Sequence, residues 1–211
     1  MEKFYQLRID KVLTTFHIKE RFDCEQLNEL LTTNDTLSAF ENTTLDFALD
    51  RYRRMGRGWN EEELKMNFIS SVLNVADPNI VDTCKTFFER PLSGIIGNYE
   101  LNVKTDCMVA SYNEGGEPVR PYFFLQEFKQ KQLWGKTDPQ GQMLAAMLLA
   151  QQKNADGKYL YGCYVKENNW HFTTLLGLDY CVSRQFDSTQ KHDLLQIVFI
   201  LRKLKELILN R

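Results

Sequence analysis

Glu127 and Lys129 stand two residues apart at the end of an apolar run, PYFFLQEFK, over 121–129. A strand repeats every two residues, so Phe123, Leu125, Glu127 and Lys129 are expected on one face and Tyr122, Phe124, Gln126 and Phe128 on the other. A run apolar on both faces predicts a central strand covered on both sides, where an ionised side chain is costly unless something pairs it. An acid and a base delivered to one face of such a strand either neutralise each other or serve a site.

The elements that must position this pair follow from patterning. A helix is predicted from WNEEELKMNFISSVLNVADP: Asn60 is an N-cap, Glu63 completes a capping-box spacing, and Asp77-Pro78 ends it. Strands are predicted at about 99–104, 106–112 and 121–129, the last two separated by the turn NEGGEP. Asp138 and Pro139 open a helix to about 153. KYLYGCYVKE and WHFTTLLG predict two further strands, and STQKHDLLQIVFILRKLKELILNR a long closing helix. Upstream, residues 1 to about 58 are polar with scattered apolar positions, and short helices are predicted around 24–32 and 36–54.

With 211 residues of which 43% are hydrophobic, the chain can bury a sizeable core, most simply as one folding unit. No repeat, low-complexity tract or Pro/Gly-rich linker divides it. A net charge of -2 supplies no global field toward nucleic acid or anionic membrane, so such binding would need a local patch. No stretch approaches the ~18 apolar residues of a spanning helix, and the start, MEKFYQLRIDKVLTTF, has no signal-like apolar core, which predicts a cytoplasmic protein without membrane partners. Cys24, Cys84, Cys107, Cys163 and Cys181 include no Cys-x-x-Cys pair and are expected as reduced, mostly buried thiols. His17, His171 and His192 show no zinc-ligand spacing.

Taken in order, WNEEELKMNFI, TDCMVA, FFLQEFK and a helix carrying PQGQMLAAM resemble the PD-(D/E)XK, or restriction-endonuclease-like, nuclease superfamily. From about 59 to 205 the chain is similar to uncharacterised members of it from Bacteroidetes. Thr105 stands where the superfamily's name has Pro. The resemblance implies an α/β fold with a restriction-endonuclease-like mixed central β-sheet flanked by helices, a core over 59–211, and an N-terminal helical extension, 1–58, packed on it. It also implies a site of Glu61, Asp106, Glu127, Lys129 and Gln142.

The implied activity is metal-dependent hydrolysis of phosphodiester bonds in nucleic acid, most of all DNA. That chemistry calls for a hard cation, Mg²⁺ or Mn²⁺, which prefers oxygen ligands. Asp106, Glu127 and the carbonyl of Phe128 would supply them, and Lys129 would orient or deprotonate a water. At 100° per residue, Leu64, Phe68, Val72 and Val75 form an apolar stripe on which Glu61 falls, with Glu63 opposite. Each assignment has a plainer alternative: a first-turn acid favoured by the helix dipole for Glu61, an ion pair without chemistry for Asp106, Glu127 and Lys129, and a buried structural amide for Gln142, with Gln140 a rival for its position. A nuclease-fold module that binds nucleic acid or protein without cutting is the main alternative function, and a hydrolase acting on a smaller phosphorylated compound is another.

Arg51, Arg53, Arg54 and Arg57 cluster in RYRRMGRGW just before the acidic helix and could contact phosphates, although a solvated face is the plainer reading. The closing helix has a broad apolar face, from Leu194 to Ile208, consistent with burial on more than one side, including across a homodimer.

Overall fold

The computed structural model describes residues 2–129 and 138–211. From the N-terminus the chain forms β1 (Glu2–Lys3), α1 (Ile9–Thr15), β2 (Lys19–Arg21), α2 (Glu25–Leu31) and α3 (Ala39–Met55). Next comes the acidic helix, α4 (Glu61–Leu64), continued by a π turn (Lys65–Ile69) and by α5 (Ser70–Ala76). The rest comprises β3 (Lys85–Ile96), β4 (Tyr99–Tyr112), β5 (Pro118–Lys129), α6 (Pro139–Asn154), β6 (Leu160–Lys166), β7 (Asn169–Leu176), β8 (Asp179–Val182), β9 (Phe186–Asp187) and α7 (Lys191–Leu209).

The Asn60 side chain accepts from Glu63 N–H and the Glu63 carboxylate accepts from Asn60 N–H, so the capping box predicted for the acidic helix forms. Asp77 ends that helix in the left-handed region, at φ 43°, immediately before Pro78. One feature of it was not legible: a turn of i→i+5 pairing begins at Lys65. Such turns insert a residue into the helical ladder and re-aim the side chains around them.

The architecture is mixed α/β, with helices on both faces of a central mixed sheet. β3, β4 and β5 form an antiparallel meander, α6 crosses one face, and β6 returns parallel to β5. β7 and β8 extend the sheet antiparallel, and β2 closes that side parallel to β8. β1 pairs with β4 at Tyr99 and Glu100, so the first twenty-one residues contribute to the sheet as well as to the helices around it.

Several expectations change here. The predicted strands at 99–104 and 106–112 are one strand, β4. β3 was not predicted because Glu89, Arg90 and Pro91 interrupt its apolar pattern; among the described residues it pairs only with β4, and that edge position tolerates Pro91. In β5 the period-two alternation breaks at Phe123, which has no partner between the pairs Ala110↔Tyr122 and Val109↔Phe124. That bulge turns Phe123 onto the side of Phe124 and Phe128, away from the Glu127 face where alternation placed it. Nor are all five thiols free: Cys24, just before α2, is joined to Cys181 in β8, with Cα atoms 6.4 Å apart. Their sequence separation of 157 left no spacing signal, whereas Cys84, Cys107 and Cys163 are buried thiols as expected.

Two apolar layers cover the sheet. One packs α6 against Leu125, Met108 and Leu175, and the other packs α3, the acidic helix and α7 against Phe124, Phe128 and Trp170. Leu194, Ile197, Leu201, Leu204 and Ile208 of α7 are all buried within the single chain. Among the described residues no helix is long and apolar enough to cross a membrane.

The seat of α6 is fixed by two glycines. A Cβ at Gly162 of β6 would lie 2.8 Å from both Met147 Sδ and Thr173 Oγ1, so its absence lets the helix settle close to the sheet. At Gly141 a Cβ would lie 2.6 Å from the Arg8 carbonyl carbon and 2.7 Å from Ile9 N, atoms of the backbone that cannot swing aside. Asp138 locks the same junction, accepting from Gly141 N–H and Ile9 N–H at 2.7 Å each and so capping α6 and α1 together. Replacing a helical glycine by alanine ordinarily stabilises by roughly 1 kcal/mol. Gly141→Ala should instead destabilise by about 1–3 kcal/mol through overpacking, measured as a lower urea midpoint; an unchanged or higher midpoint would contradict this packing.

Candidate functional site

Asp106 lies within β4, in the stretch Thr105–Ala110 that is buried throughout. The backbone ladder between β4 and β5 runs as far as Cys107↔Gln126. At that end the Asp106 carboxylate takes the place of a carbonyl: Oδ2 accepts from Phe128 N–H at 2.7 Å. Glu127 and Lys129 extend from β5 beside it, and the Phe128 ring anchors the strand in the opposite layer, edge-on to Trp170 at 6.2 Å.

The acidic helix closes one side. Glu61 joins two lysines, with Oε1 3.1 Å from Lys65 Nζ and Oε2 3.2 Å from Lys129 Nζ. Lys129 Nζ also lies 3.8 Å from Glu127 Oε1. From the first turn of α6, Gln142 donates through Nε2 to Glu127 Oε1 at 2.9 Å, while its own Oε1 is buried and accepts from nothing in the described chain. Gln140 points elsewhere, donating to Glu20 on β2 at 2.7 Å. The structure thus brings Glu61, Asp106, Glu127, Lys129 and Gln142 together.

Lys65 and Glu89 also belong to this cluster and were missed. Lys65 Nζ donates to Asp106 Oδ1 at 2.7 Å and lies 3.4 Å from Glu62 and 3.2 Å from Glu89. Its place one turn after Glu61 was the available signal, but i,i+4 Glu–Lys pairs are ordinary surface features. Glu89 sits on the unpredicted strand. The β3–β4 pairing steps from Phe88↔Cys107 to Arg90↔Thr105, over Glu89, whose φ is 55°. A left-handed glutamate inside a strand is an uncommon conformation, and it turns this carboxylate toward Lys65 and Lys104.

Arg51, Arg53 and Arg54 occupy the end of α3, and Arg57 the loop before Asn60; all four are exposed. Arg53 donates to the Thr189 carbonyl and Arg54 to Asp50, and no described contact ties any of the four to the buried acids. Their loop is held by Trp59 packing on Tyr52 at 5.7 Å, itself against Phe68 at 5.0 Å.

Burial dominates the electrostatics. Glu127 is 2% exposed, and burial, reinforced by the Asp106 charge, pushes its carboxyl up to about 9 against the weaker pull of Lys129. Burial also raises Asp106, opposed by the hydrogen bonds from Lys65 and Phe128 N–H. For Lys65 burial disfavours the ammonium, but its bonds to Asp106 and Glu61 prevail and hold it charged.

Among the described residues no three His, Cys, Asp or Glu side chains are gathered as a metal cage. The donor set nevertheless fits a hard cation that takes one or two carboxylates and keeps waters of its own. Asp106 and Glu127 offer oxygens, the ammonium nearest Glu127 stands 3.8 Å away, and the unpartnered Gln142 Oε1 is an acceptor suited to a bound water. No protein-family model and no curated protein matches the chain.

The raised Glu127 pKa gives stability a pH dependence. A carboxyl whose folded pKa exceeds its ordinary 4.5 contributes fully below that value and loses the contribution as pH climbs through about 9. In metal-free buffer the wild type should therefore lose thermal stability across this range faster than Glu127→Gln, which does not titrate. Parallel Tm curves would contradict the burial of an uncompensated carboxyl.

Proposed function

We propose that this chain is a metal-dependent phosphodiesterase of the PD-(D/E)XK type, acting on nucleic acid, with DNA the first substrate to test. The observation that carries the reading is the convergence of Asp106, Glu127 and Lys129 where β4 and β5 part, with Gln142 on the Glu127 carboxyl and Glu61 on the Lys129 ammonium. The order of elements agrees with it: an acidic helix, an antiparallel meander, a crossing helix, and a strand returning parallel to the one that bears Glu-x-Lys. A restriction-endonuclease-like fold is part of the same proposal.

When bound, Mg²⁺ or Mn²⁺ would neutralise charge on the transferring phosphoryl group and make a coordinated water more acidic. Asp106, Glu127 and the Phe128 carbonyl are the residues to hold it. Asp106 is oriented by Phe128 N–H, and Gln142 fixes the Glu127 carboxyl. Lys129 orients the attacking water and favours negative charge developing on phosphorus-bound oxygen. Water oxygen forms the new P–O bond as one ester P–O bond breaks, the water giving up a proton to solvent and the departing ester oxygen taking one up to leave as an alcohol. Glu61 has no share in that exchange; by gripping Lys129 it sets where the ammonium can reach.

The ion pair from Lys65 to Asp106 favours a second reading, in which the cluster serves structure and the module binds nucleic acid without cutting it. Cleavage of supercoiled plasmid, single-stranded DNA, RNA and free nucleotides, with Mg²⁺ or Mn²⁺ and with EDTA, separates the two. Metal-dependent cutting that falls by at least about 100-fold in both Lys129→Ala and Asp106→Ala is the expected outcome. A folded wild type that cuts no nucleic acid, paired with retarded migration of DNA that weakens with salt, would favour the binding module.

A further inference from the structure

Lys65 has a part in this cluster that the Glu-x-Lys pattern does not supply. Its side chain is 15% exposed and its ammonium contacts four carboxylates: Asp106 at 2.7 Å, Glu61 at 3.1 Å, Glu89 at 3.2 Å and Glu62 at 3.4 Å. These acids come from three elements, the acidic helix, β3 and β4, and two local distortions bring them together. The π turn begins at Lys65 itself, and the β3–β4 ladder is interrupted where Glu89 takes its left-handed conformation. An ordinary surface pair needs neither distortion.

We propose that Lys65 is a tethered counter-ion that holds the carboxylates of the cation-free site and must yield Asp106 Oδ1 before a divalent cation can bind there. Two cationic centres cannot share one carboxylate oxygen in a partly buried site without strong repulsion. The partners of Lys65 are graded in a way that suits the exchange. Asp106 is buried, whereas Glu89 and Glu62 are exposed and lie within 3.4 Å of the same ammonium. Released from Asp106, Lys65 retains acceptors on the outer side of the site and stays in the cluster. Lys65 is thus a positioning residue: it keeps Asp106 in place when no metal is bound and lowers the affinity of the site for metal. Lys129, which holds Glu61 and approaches Glu127, makes no described contact with Asp106 and cannot substitute for it.

The inference rests on the metal-dependent reading, so its test must distinguish the two. Mn²⁺ would be titrated calorimetrically into EDTA-treated wild type, Lys65→Met, Lys65→Arg and Asp106→Asn. Breaking a charge-assisted hydrogen bond opposes binding, so Lys65→Met should bind Mn²⁺ about 10- to 100-fold more tightly than wild type. Lys65→Arg, which keeps the charge, should remain near wild type, and Asp106→Asn should lose the site. Unchanged or weaker binding by Lys65→Met, with the site still abolished by Asp106→Asn, would overturn the role of Lys65 and leave the metal site standing. Absence of binding in wild type and Lys65→Met alike would overturn both. Should Lys65→Met fail to fold, lysine ¹³Cε resonances of the wild type supply the readout. The signal missing from Lys65→Arg should move as Mg²⁺ is added, and a signal that stays fixed at millimolar Mg²⁺ would reject the exchange.

Discussion

Two acidic side chains buried together at the open end of the β4–β5 ladder are the constraint to which the rest of the structure answers. An isolated carboxylate in such a place costs several kcal/mol, and here Asp106 and Glu127 stand on adjacent strands. Each is met differently. Asp106 receives a backbone N–H and the Lys65 ammonium, whereas Glu127 receives only an amide from Gln142 and a more distant lysine. The asymmetry leaves Asp106 anchored and Glu127 short of compensation. Glu61 ties the arrangement together because its one carboxylate grips both Lys65 and Lys129, with Oε1 within reach of the two, so neither ammonium moves without affecting the other.

Such a cluster needs rigid supports on every side, and the scaffold provides them through unrelated devices. β5 is pinned by its aromatic side chains in the layer opposite the site. α6 brings Gln142 to Glu127 because Gly162 lets the helix approach the sheet and Asp138 caps its first turn. That same aspartate caps α1, and β1 and β2 pair within the sheet, so the N-terminal segment braces the helix that carries Gln142. Across the molecule the Cys24–Cys181 link ties the segment before α2 to β8. The preorganisation that such a site requires is spread over distant parts of the chain.

What the sequence disclosed was local. Period-two alternation put Glu127 and Lys129 on one side of β5, the capping box and apolar stripe placed Glu61, and Asp-Pro marked the start of α6. What it concealed depended on pairing between distant segments or on departures from regular geometry. β3 was hidden by Glu89-Arg90-Pro91, and with it went the carboxylate that completes the Lys65 cluster. The bulge at Phe123 cannot be read from alternation, since a single unpaired residue exchanges the two faces. Lys65 was visible as a helical neighbour of Glu61, yet nothing in one dimension showed that a π turn would bring it to Asp106. The choice between Gln140 and Gln142 also required the third dimension, because both lie in the first turn of one helix.

Locating a cation tests the central claim most directly. Crystals grown or soaked with Mn²⁺, with data collected for its anomalous signal, should show a peak within coordination distance of Asp106 and Glu127 carboxylate oxygens, with Lys65 Nζ moved off Asp106. A well-ordered site in which Lys65 still bridges Asp106 and Glu61, with no anomalous peak between the strands at millimolar Mn²⁺, would contradict it.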